Sequence, residues 1–294
     1  MKSLIVFISV FVIVQAPFCS AQTAASNGPS TGSDTPGLLV PGVKKGTFFV
    51  SPLYQYTSFK NLQLISNTNY NHTWKGESVD RFSSADIKDY NDNYGTEYTN
   101  SLTGIRIGYQ LFGGLGVSGF AGVNHFDLRS WICPGSNESV TTKFPAVTIG
   151  IAMDYTKKLT DRLSALTSLS YNYCKTKSMS VQNTSGDDVL SSNCESASLE
   201  LNAAFACHLK NLIPYAGAGF SRQYIHSVRT EQMQDINGQG QPYFATSTYD
   251  SHARGSAVYC FTGLEYLLSK NLSCYLRAAF INPIRVTYGF RIIL

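Results

Sequence analysis

The chain has 294 residues, only 14% of them charged, and its formal net charge of +4 is small. Tyrosine and phenylalanine contribute 18 and 17 residues and glycine contributes 24, which is unusual for a soluble enzyme of this size. Beyond the N-terminus no stretch approaches about 18 consecutive apolar residues, which excludes membrane-spanning helices. The positive charges are scattered, so the chain offers no surface for a nucleic acid.

The N-terminal residues have the three parts of a secretory signal peptide. Lys2 precedes the apolar run from Leu4 to Val14, and Cys19-Ser20-Ala21 follows with small residues. The apolar run is about half as long as the roughly 20 residues that a spanning helix needs. Residues 1–21 are therefore predicted to be a cleaved signal peptide, and residues 22–46, rich in Ser, Thr, Gly and Pro, a flexible segment.

From Thr47 onward the apolar and polar side chains alternate, as in β-strands with one apolar face. The pattern is clearest from Ile284 to Leu294 and from Val147 to Tyr155. Pro52 interrupts the first segment and is predicted to weaken strand pairing there. The ten predicted strands are 47–56, 98–109, 115–126, 147–155, 163–173, 197–209, 213–224, 248–267, 272–280 and 284–294.

The connections between these segments alternate in length. Short turns are predicted near positions 113, 159, 211 and 269, and long polar connections at 57–97, around Cys133, at 175–193 and at 230–247. The short connection at Asn282 is the exception. Alternation places short turns at one rim of an antiparallel sheet and long loops at the other. An open sheet edge in hydrocarbon would leave backbone groups unpaired. Residues 47–294 are therefore predicted to form an all-β fold, a single closed antiparallel transmembrane β-barrel of about ten strands.

Two segments carry a family resemblance. Pro214-Tyr215-Ala216-Gly217-Ala218-Gly219 resembles an internal strand, and Ile284 to Leu294 the terminal insertion strand, of the broad, porin-like family of bacterial outer-membrane β-barrel proteins. The resemblance extends over Thr47 to Leu294. It implies a location in the bacterial outer membrane, contact with its lipid, insertion by the barrel-assembly machinery, and a role in transport, adhesion or the envelope.

Ionisable residues on the polar faces of the strands are predicted to line the barrel lumen. They carry both signs of charge and are Arg106, Asp154, Arg162, Glu200, His208, Glu265, Arg277, Arg285 and Arg291. A ten-stranded barrel is only slightly wider than one of about eight strands, which side chains can fill. Two interpretations stay open: an interior plugged by ion pairs, or a narrow polar pore for small solutes. Both favour a small porin or an envelope scaffold.

Two other functions compete with this one. The polar stretches 57–97 and 230–247 suit a surface recognition or adhesion protein that binds an extracellular ligand. A barrel hydrolase is the remote alternative, for which Asp250 and His252 are the nearest acid and imidazole pair. Because neither lies in a recognisable catalytic motif, the chain is predicted not to be an enzyme.

Six cysteines follow the predicted signal peptide, and their spacing matches no zinc pattern. Cys174 and Cys194 lie at the two ends of one predicted hairpin loop and are candidates for a disulfide in an oxidising compartment. No metal and no cofactor is predicted.

Overall fold

The computed structural model describes residues 46–73, 75–93, 96–112, 114–131, 139–176, 181–182, 188–236 and 239–294. These residues all belong to the unit Ser33–Leu294. The predicted signal peptide, the predicted flexible segment up to residue 45 and the connection at Cys133 lie outside the described residues.

Within the described residues the chain forms twelve strands and one helix. The strands are β1 (Phe48–Thr73), β2 (Gly76–Arg81), β3 (Thr96–Phe112), β4 (Leu115–Trp131), β5 (Ser139–Lys158), β6 (Leu163–Thr176), β7 (Val181–Gln182), β8 (Asp188–Cys207), β9 (Leu212–Ile236), β10 (Pro242–Leu267), β11 (Leu272–Phe280) and β12 (Ile284–Ile293). The helix is α1 (Ser84–Asn93). In the described ranges no helix has the length and apolarity needed to cross a membrane.

Ten of these strands close into an antiparallel barrel, which confirms the predicted fold. The strand order is β1-β3-β4-β5-β6-β8-β9-β10-β11-β12, and β12 pairs back with β1. The closing register places Phe49 opposite Ile293 and Ser58 opposite Ile284. Strands β2 and β7 are short additions paired with β1 and β8. Closure gives the wall a hydrogen-bonding neighbour on both sides of each barrel strand, as a bilayer requires.

The apolar side chains face outward and the polar ones inward. On β5 the outward residues Ile149, Ile151 and Met153 are 56%, 68% and 50% exposed, while the inward residues Thr148 and Asp154 are buried. This is the reverse of a water-soluble barrel and matches a wall surrounded by lipid. The lumen is therefore lined largely by polar side chains, beside smaller buried apolar clusters such as that of Phe59, Leu62 and Ile225.

Pro52 weakens strand pairing on one side of β1. Ser51 and Pro52 have no paired residue on β12, although the register is the same on either side of them, whereas the pairing with β3 continues through Pro52. The Oγ of Ser51 donates a hydrogen bond to the carbonyl of Phe290 at 2.7 Å. A hydroxyl thus supplies, at the seam that closes the barrel, the hydrogen that a proline nitrogen lacks.

Several strands extend much further than predicted on the side of the long connections, which is called the upper side below. Strands β1, β9 and β10 contain 26, 25 and 26 residues, whereas about 9–11 residues cross a bilayer. The prediction of long loops at 57–97 and 230–247 was therefore wrong, because both stretches are mostly strand. On the inner face of this extension Phe59, Leu62 and Ile225 are buried against one another, while its outward residues are mostly polar. The regular apolar alternation of a lipid-facing strand is therefore missing there, and its absence does not indicate a loop.

The barrel narrows from ten strands to eight towards its upper side. Strands β11 and β12 contain only 9 and 10 residues. Above their connection, β1 leaves β12 and pairs directly with β10, from Gln63 opposite Arg254 to His72 opposite Thr246. The short connection at Asn282, which departed from the alternation of lengths, therefore lies within the wall, below this β1–β10 seam.

Helix α1 is capped by its own sequence and anchored to β1. The Oγ of Ser83 accepts a hydrogen bond from the Asp86 amide at 3.2 Å, and Asp86 Oδ2 accepts one from the Ser83 amide at 2.8 Å, which is a capping box. The Ser83 hydroxyl also donates to Asp86 Oδ2 at 2.7 Å, and this bond, with that from the Ser83 amide, lowers the pKa of Asp86. The Asn91 side chain pairs with both backbone groups of Leu64, at 2.7 and 3.0 Å, which ties α1 to the wall.

Candidate functional site

The lumen contains a cavity of about 170 Å³. Seven of the nine predicted lumen residues line it and come from six strands: Arg106 on β3, Asp154 on β5, Glu200 on β8, Glu265 on β10, Arg277 on β11, and Arg285 and Arg291 on β12. Alternation along each strand and closure of the sheet together bring these distant residues to one place.

The other two predicted lumen residues lie at the short-turn rim. Arg162 is exposed in the turn before β6, which begins only at Leu163, so the alternation was extended one residue too far and its placement in the lumen was wrong. His208 is half-buried in the next turn, with its Nε2 2.8 Å from the Oγ of Ser164. Burial and the nearby charge of Lys158 lower the pKa of His208, so this imidazole is neutral at pH 7.

The first contact across the lumen is a bidentate ion pair between Glu200 on β8 and Arg285 on β12. Nη1 of Arg285 donates to Oε2 of Glu200 at 2.5 Å, and Nη2 lies 2.5 Å from Oε1. The remaining nitrogen, Nε, donates to the Oγ1 of Thr57 on β1 at 3.1 Å. Both ionic side chains are buried. A paired guanidinium and carboxylate have a fixed geometry, so this bridge links β8, β12 and β1 through the interior.

The second contact lies nearer the short-turn rim. Nη1 of Arg291 donates to Oε1 of Glu265, and both side chains are buried. The Oγ of Ser273 donates to the same carboxylate oxygen at 2.5 Å. The guanidinium also lies over the ring of Tyr275, 5.6 Å from its centre. Strands β10, β11 and β12 are thereby tied together on their inner face.

Asn202 on β8 is the centre of a third set of contacts, which contains no carboxylate. Its Oδ1 accepts hydrogen bonds from Nη2 of Arg277 at 2.7 Å and from the Tyr259 hydroxyl at 2.6 Å. Its Nδ2 donates to the Oγ of Ser168 on β6 at 3.2 Å. The Arg277 guanidinium lies 3.8 Å from the centre of the Phe261 ring. These bonds connect β6, β8, β10 and β11 across the lumen.

The lumen is consequently divided by side chains that hydrogen bond with one another. The sequence search selected ionisable residues and so missed the neutral partners Thr57, Asn202, Tyr259 and Ser273. For Asn202, Tyr259 and Ser273 the inward position in the strand alternation was the signal that would have found them, whereas Thr57 begins the stretch predicted as a long connection.

Cys174 and Cys194 are both free and buried on the inner face of the wall. The register places Cys174 opposite Ser196, so the two thiols are offset along the strands and the disulfide considered above is not formed in this structure. The Nδ2 of Asn124 lies 3.4 Å from the Sγ of Cys174, and the Cys194 amide donates to Thr176 Oγ1 at 2.7 Å. The two residues pack within the upper lumen.

Asp250 and His252, the pair considered for catalysis, lie on the outer wall and not in the lumen. Oδ1 of Asp250 is 3.4 Å from Nε2 of His252 and 2.9 Å from Nε2 of His226 on β9. His226 was not among the predicted residues, because its proximity to Asp250 and His252 depends on the register between β9 and β10.

Comparisons with known proteins place this barrel in a family. The family model described as the autotransporter beta-domain matches residues 81–279. No curated protein matches the chain by sequence.

Several solved structures resemble the chain at low sequence identity. The translocator domain of the autotransporter NalP from Neisseria meningitidis is 9% identical over 86% of this chain and 90% of that chain, with a TM-score of 0.40. The outer membrane protein OprG from Pseudomonas aeruginosa is 10% identical over 85% and 97%, with a TM-score of 0.37. The beta domain of the Bordetella autotransporter Brka is 13% identical over 83% and 99%, with a TM-score of 0.38.

These TM-scores are below 0.5, so the assignment depends on the family match and on the barrel itself. The family match spans residues 81–279, which is more than half of the 294 residues and includes strands β3 to β11. The chain therefore belongs to the autotransporter beta-domain family of outer-membrane β-barrels.

Proposed function

We propose that the protein is an envelope scaffold of the bacterial outer membrane, with a lumen closed by side chains and an extended wall on the cell surface. The observation that carries this proposal is the buried bidentate ion pair between Glu200 and Arg285, in which both N–O contacts are 2.5 Å long. A buried and fully paired ion pair is costly to separate. It therefore opposes the passage of solutes, in contrast to the rings of free charge that select ions in open channels.

Recordings in planar lipid bilayers test this proposal. The unmodified protein is expected to be silent, while Glu200→Ala/Arg285→Ala, which removes both charges together, is expected to show discrete openings. Lys158→Ala/Asp161→Ala is the matched control, because it removes an exposed pair with a 2.8 Å contact in the turn between β5 and β6. Steady conductance by the unmodified protein would favour the small porin instead.

Family membership supports a second candidate, the passage of a polypeptide, since the NalP barrel is named a translocator domain. Bonded side chains cross the lumen from β8 to β12 and from β8 to β11, and they obstruct the path of an extended chain. Translocation through this lumen would therefore require the Glu200–Arg285 and Asn202–Arg277 contacts to separate. Cysteine crosslinking of β8 to β12 tests this candidate, with the exposure of residues 22–46 at the cell surface as the measurement. Translocation through the lumen is supported if these residues reach the surface without the crosslink and fail to reach it with the crosslink.

Surface recognition is supported by the upper wall. Tyr70 on β1, Val79 on β2 and Phe244 on β10 are large apolar side chains exposed by 46%, 54% and 63%, and all three lie far above the lower rim. The triple change of these residues to serine is expected to reduce the adhesion of expressing cells to glycans or host cells. Leu159→Ser, at an exposed position on the opposite rim, is the control.

Export and assembly complete the proposal. Residues 1–21 would direct export and be removed, the barrel-assembly machinery would insert the chain, and outer-membrane lipid would surround the apolar wall. No catalytic activity is proposed, because Asp250 and His252 lie in no recognisable catalytic motif. Mass spectrometry of the mature N-terminus tests the cleavage, and an intact Met1 would contradict it.

A further inference from the structure

We propose that His226, Asp250 and His252 form a binding site for a divalent transition-metal ion on the outer wall of the barrel. Their ligand atoms all lie within 4.8 Å of one another. Oδ1 of Asp250 lies between the two imidazoles, 2.9 Å from Nε2 of His226 and 3.4 Å from Nε2 of His252. Two imidazole nitrogens and one carboxylate oxygen are donors that Zn²⁺ and Cu²⁺ accept, whereas Ca²⁺ and Mg²⁺ require oxygen ligands.

The backbone holds the three side chains together. His226 on β9 is directly opposite His252 on β10, and side chains opposite each other in an antiparallel pair share a face of the sheet. Asp250 precedes His252 by two residues and so lies on that same face. The β9–β10 register runs without interruption from Pro242 to Tyr266, which makes it a rigid support for the site.

A neighbouring tyrosine orients one ligand. The hydroxyl of Tyr224 lies 2.6 Å from Nδ1 of His252. When Nδ1–H donates to this oxygen, the lone pair of Nε2 is free to bind a metal, which is the usual outer-shell arrangement for a metal-binding histidine.

Metal binding requires a small rearrangement of the rings. The imidazoles of His226 and His252 are stacked, with centres 4.3 Å apart and planes at 4°. Both must rotate until their Nε2 atoms point at one ion. The side chains of His226, Asp250 and His252 are 31%, 34% and 32% exposed, which leaves space for this rotation and for water as a further ligand.

The site lies just above the apolar part of the wall. Going upward along β10, the outward residues are Val258, which is 71% exposed, then Ser256 and Arg254, and then His252. Across the sheet Glu195 on β8 is opposite His226 and is held by Lys175 at 2.6 Å. The site is therefore partly exposed to solvent, and its outward neighbours Arg254, Ser256 and Glu195 are polar.

Zinc titration of the full chain tests the site. The protein is purified in detergent with an affinity tag that contains no histidine, and Zn²⁺ is added in a calorimeter. One equivalent is expected to bind. His226→Gln/His252→Gln is expected to abolish that isotherm, Asp250→Asn to weaken it, and Tyr224→Phe to weaken it about tenfold. Electron paramagnetic resonance with Cu²⁺ should show coupling to two imidazole nitrogens, which the double variant lacks.

The matched control is His72→Gln/His125→Gln, which removes the same number of histidines from β1 and β4 and should bind like the unmodified protein. Heat-modifiable migration on a gel verifies that each variant is folded. The site is refuted if the unmodified protein binds no stoichiometric zinc, or if the folded His226→Gln/His252→Gln variant binds as tightly as the control.

Discussion

Asn282 hydrogen bonds with both backbone groups of Lys60. Its Oδ1 accepts from the Lys60 amide at 3.1 Å, and its Nδ2 donates to the Lys60 carbonyl at 2.9 Å. Lys60 lies between Ser58, the last residue of β1 that pairs with β12, and Gln63, the first that pairs with β10. The asparagine amide therefore substitutes for a strand at the point where β1 changes partner.

Asn282→Ala is expected to destabilise this junction. The variant loses two hydrogen bonds of about 0.5–1.5 kcal/mol each, so the free energy of unfolding should fall by about 1–3 kcal/mol. Urea unfolding in detergent micelles, monitored by tryptophan fluorescence, measures this free energy of unfolding. The control is Asn271→Ala, in an exposed turn at the other rim, which should stay within about 0.5 kcal/mol of the unmodified protein. Equal stability of both variants would contradict the role of Asn282.

The Glu200–Arg285 bridge should show strong coupling in a double-mutant cycle. Arg285→Met leaves the Glu200 carboxylate buried without its ionic partner, which is expected to cost about 3–5 kcal/mol of unfolding free energy. Glu200→Gln/Arg285→Met leaves no charge and should cost less than Arg285→Met alone. Chemical denaturation of Glu200→Gln, Arg285→Met and Glu200→Gln/Arg285→Met gives the coupling energy. Simple additivity would show that the two residues do not depend on each other.

Gly217 on β9 is required by a close approach of β8. A Cβ at this position would lie 2.1 Å from the carbonyl oxygen of Ala203 and 2.7 Å from the Cα of Ala204. Because both are backbone atoms, Gly217→Ala is expected to destabilise the barrel by about 1–3 kcal/mol. Gly119→Ala is the control, since a Cβ there meets no atom within 4 Å. Gly217→Ala should therefore unfold at a lower denaturant concentration than Gly119→Ala.

The cap of α1 should respond to acid. The pKa of Asp86 is lowered in the folded chain from its usual 3.8 by the hydrogen bonds from Ser83. A lowered pKa means that the carboxylate stabilises the helix above about pH 4, and that this contribution is lost as the pH falls through the lowered value. Hydrogen exchange of residues 84–93, corrected for its intrinsic pH dependence, should therefore accelerate below pH 4. Asp86→Asn keeps an acceptor without the charge and should remove this acceleration.

The predicted lumen set shows where local reasoning worked. Arg285 and Glu200 were assigned to the inner face from alternation alone, and the structure places both there. Arg162 was misplaced because alternation does not mark where a strand begins. The stretches 57–97 and 230–247 were misinterpreted as loops because a sheet in water needs no apolar face.

Alternation along the chain was sufficient to predict the fold class, the ten barrel strands and the outward face of each strand, because these follow from side chains two residues apart. The partners across the barrel are visible only in the folded sheet: Arg285 bridges to Glu200, Asn282 completes β1 where the barrel narrows, and His226 joins Asp250 and His252. Each of these contacts depends on the register between strands, which backbone hydrogen bonding and closure of the whole sheet set together and which no single segment encodes.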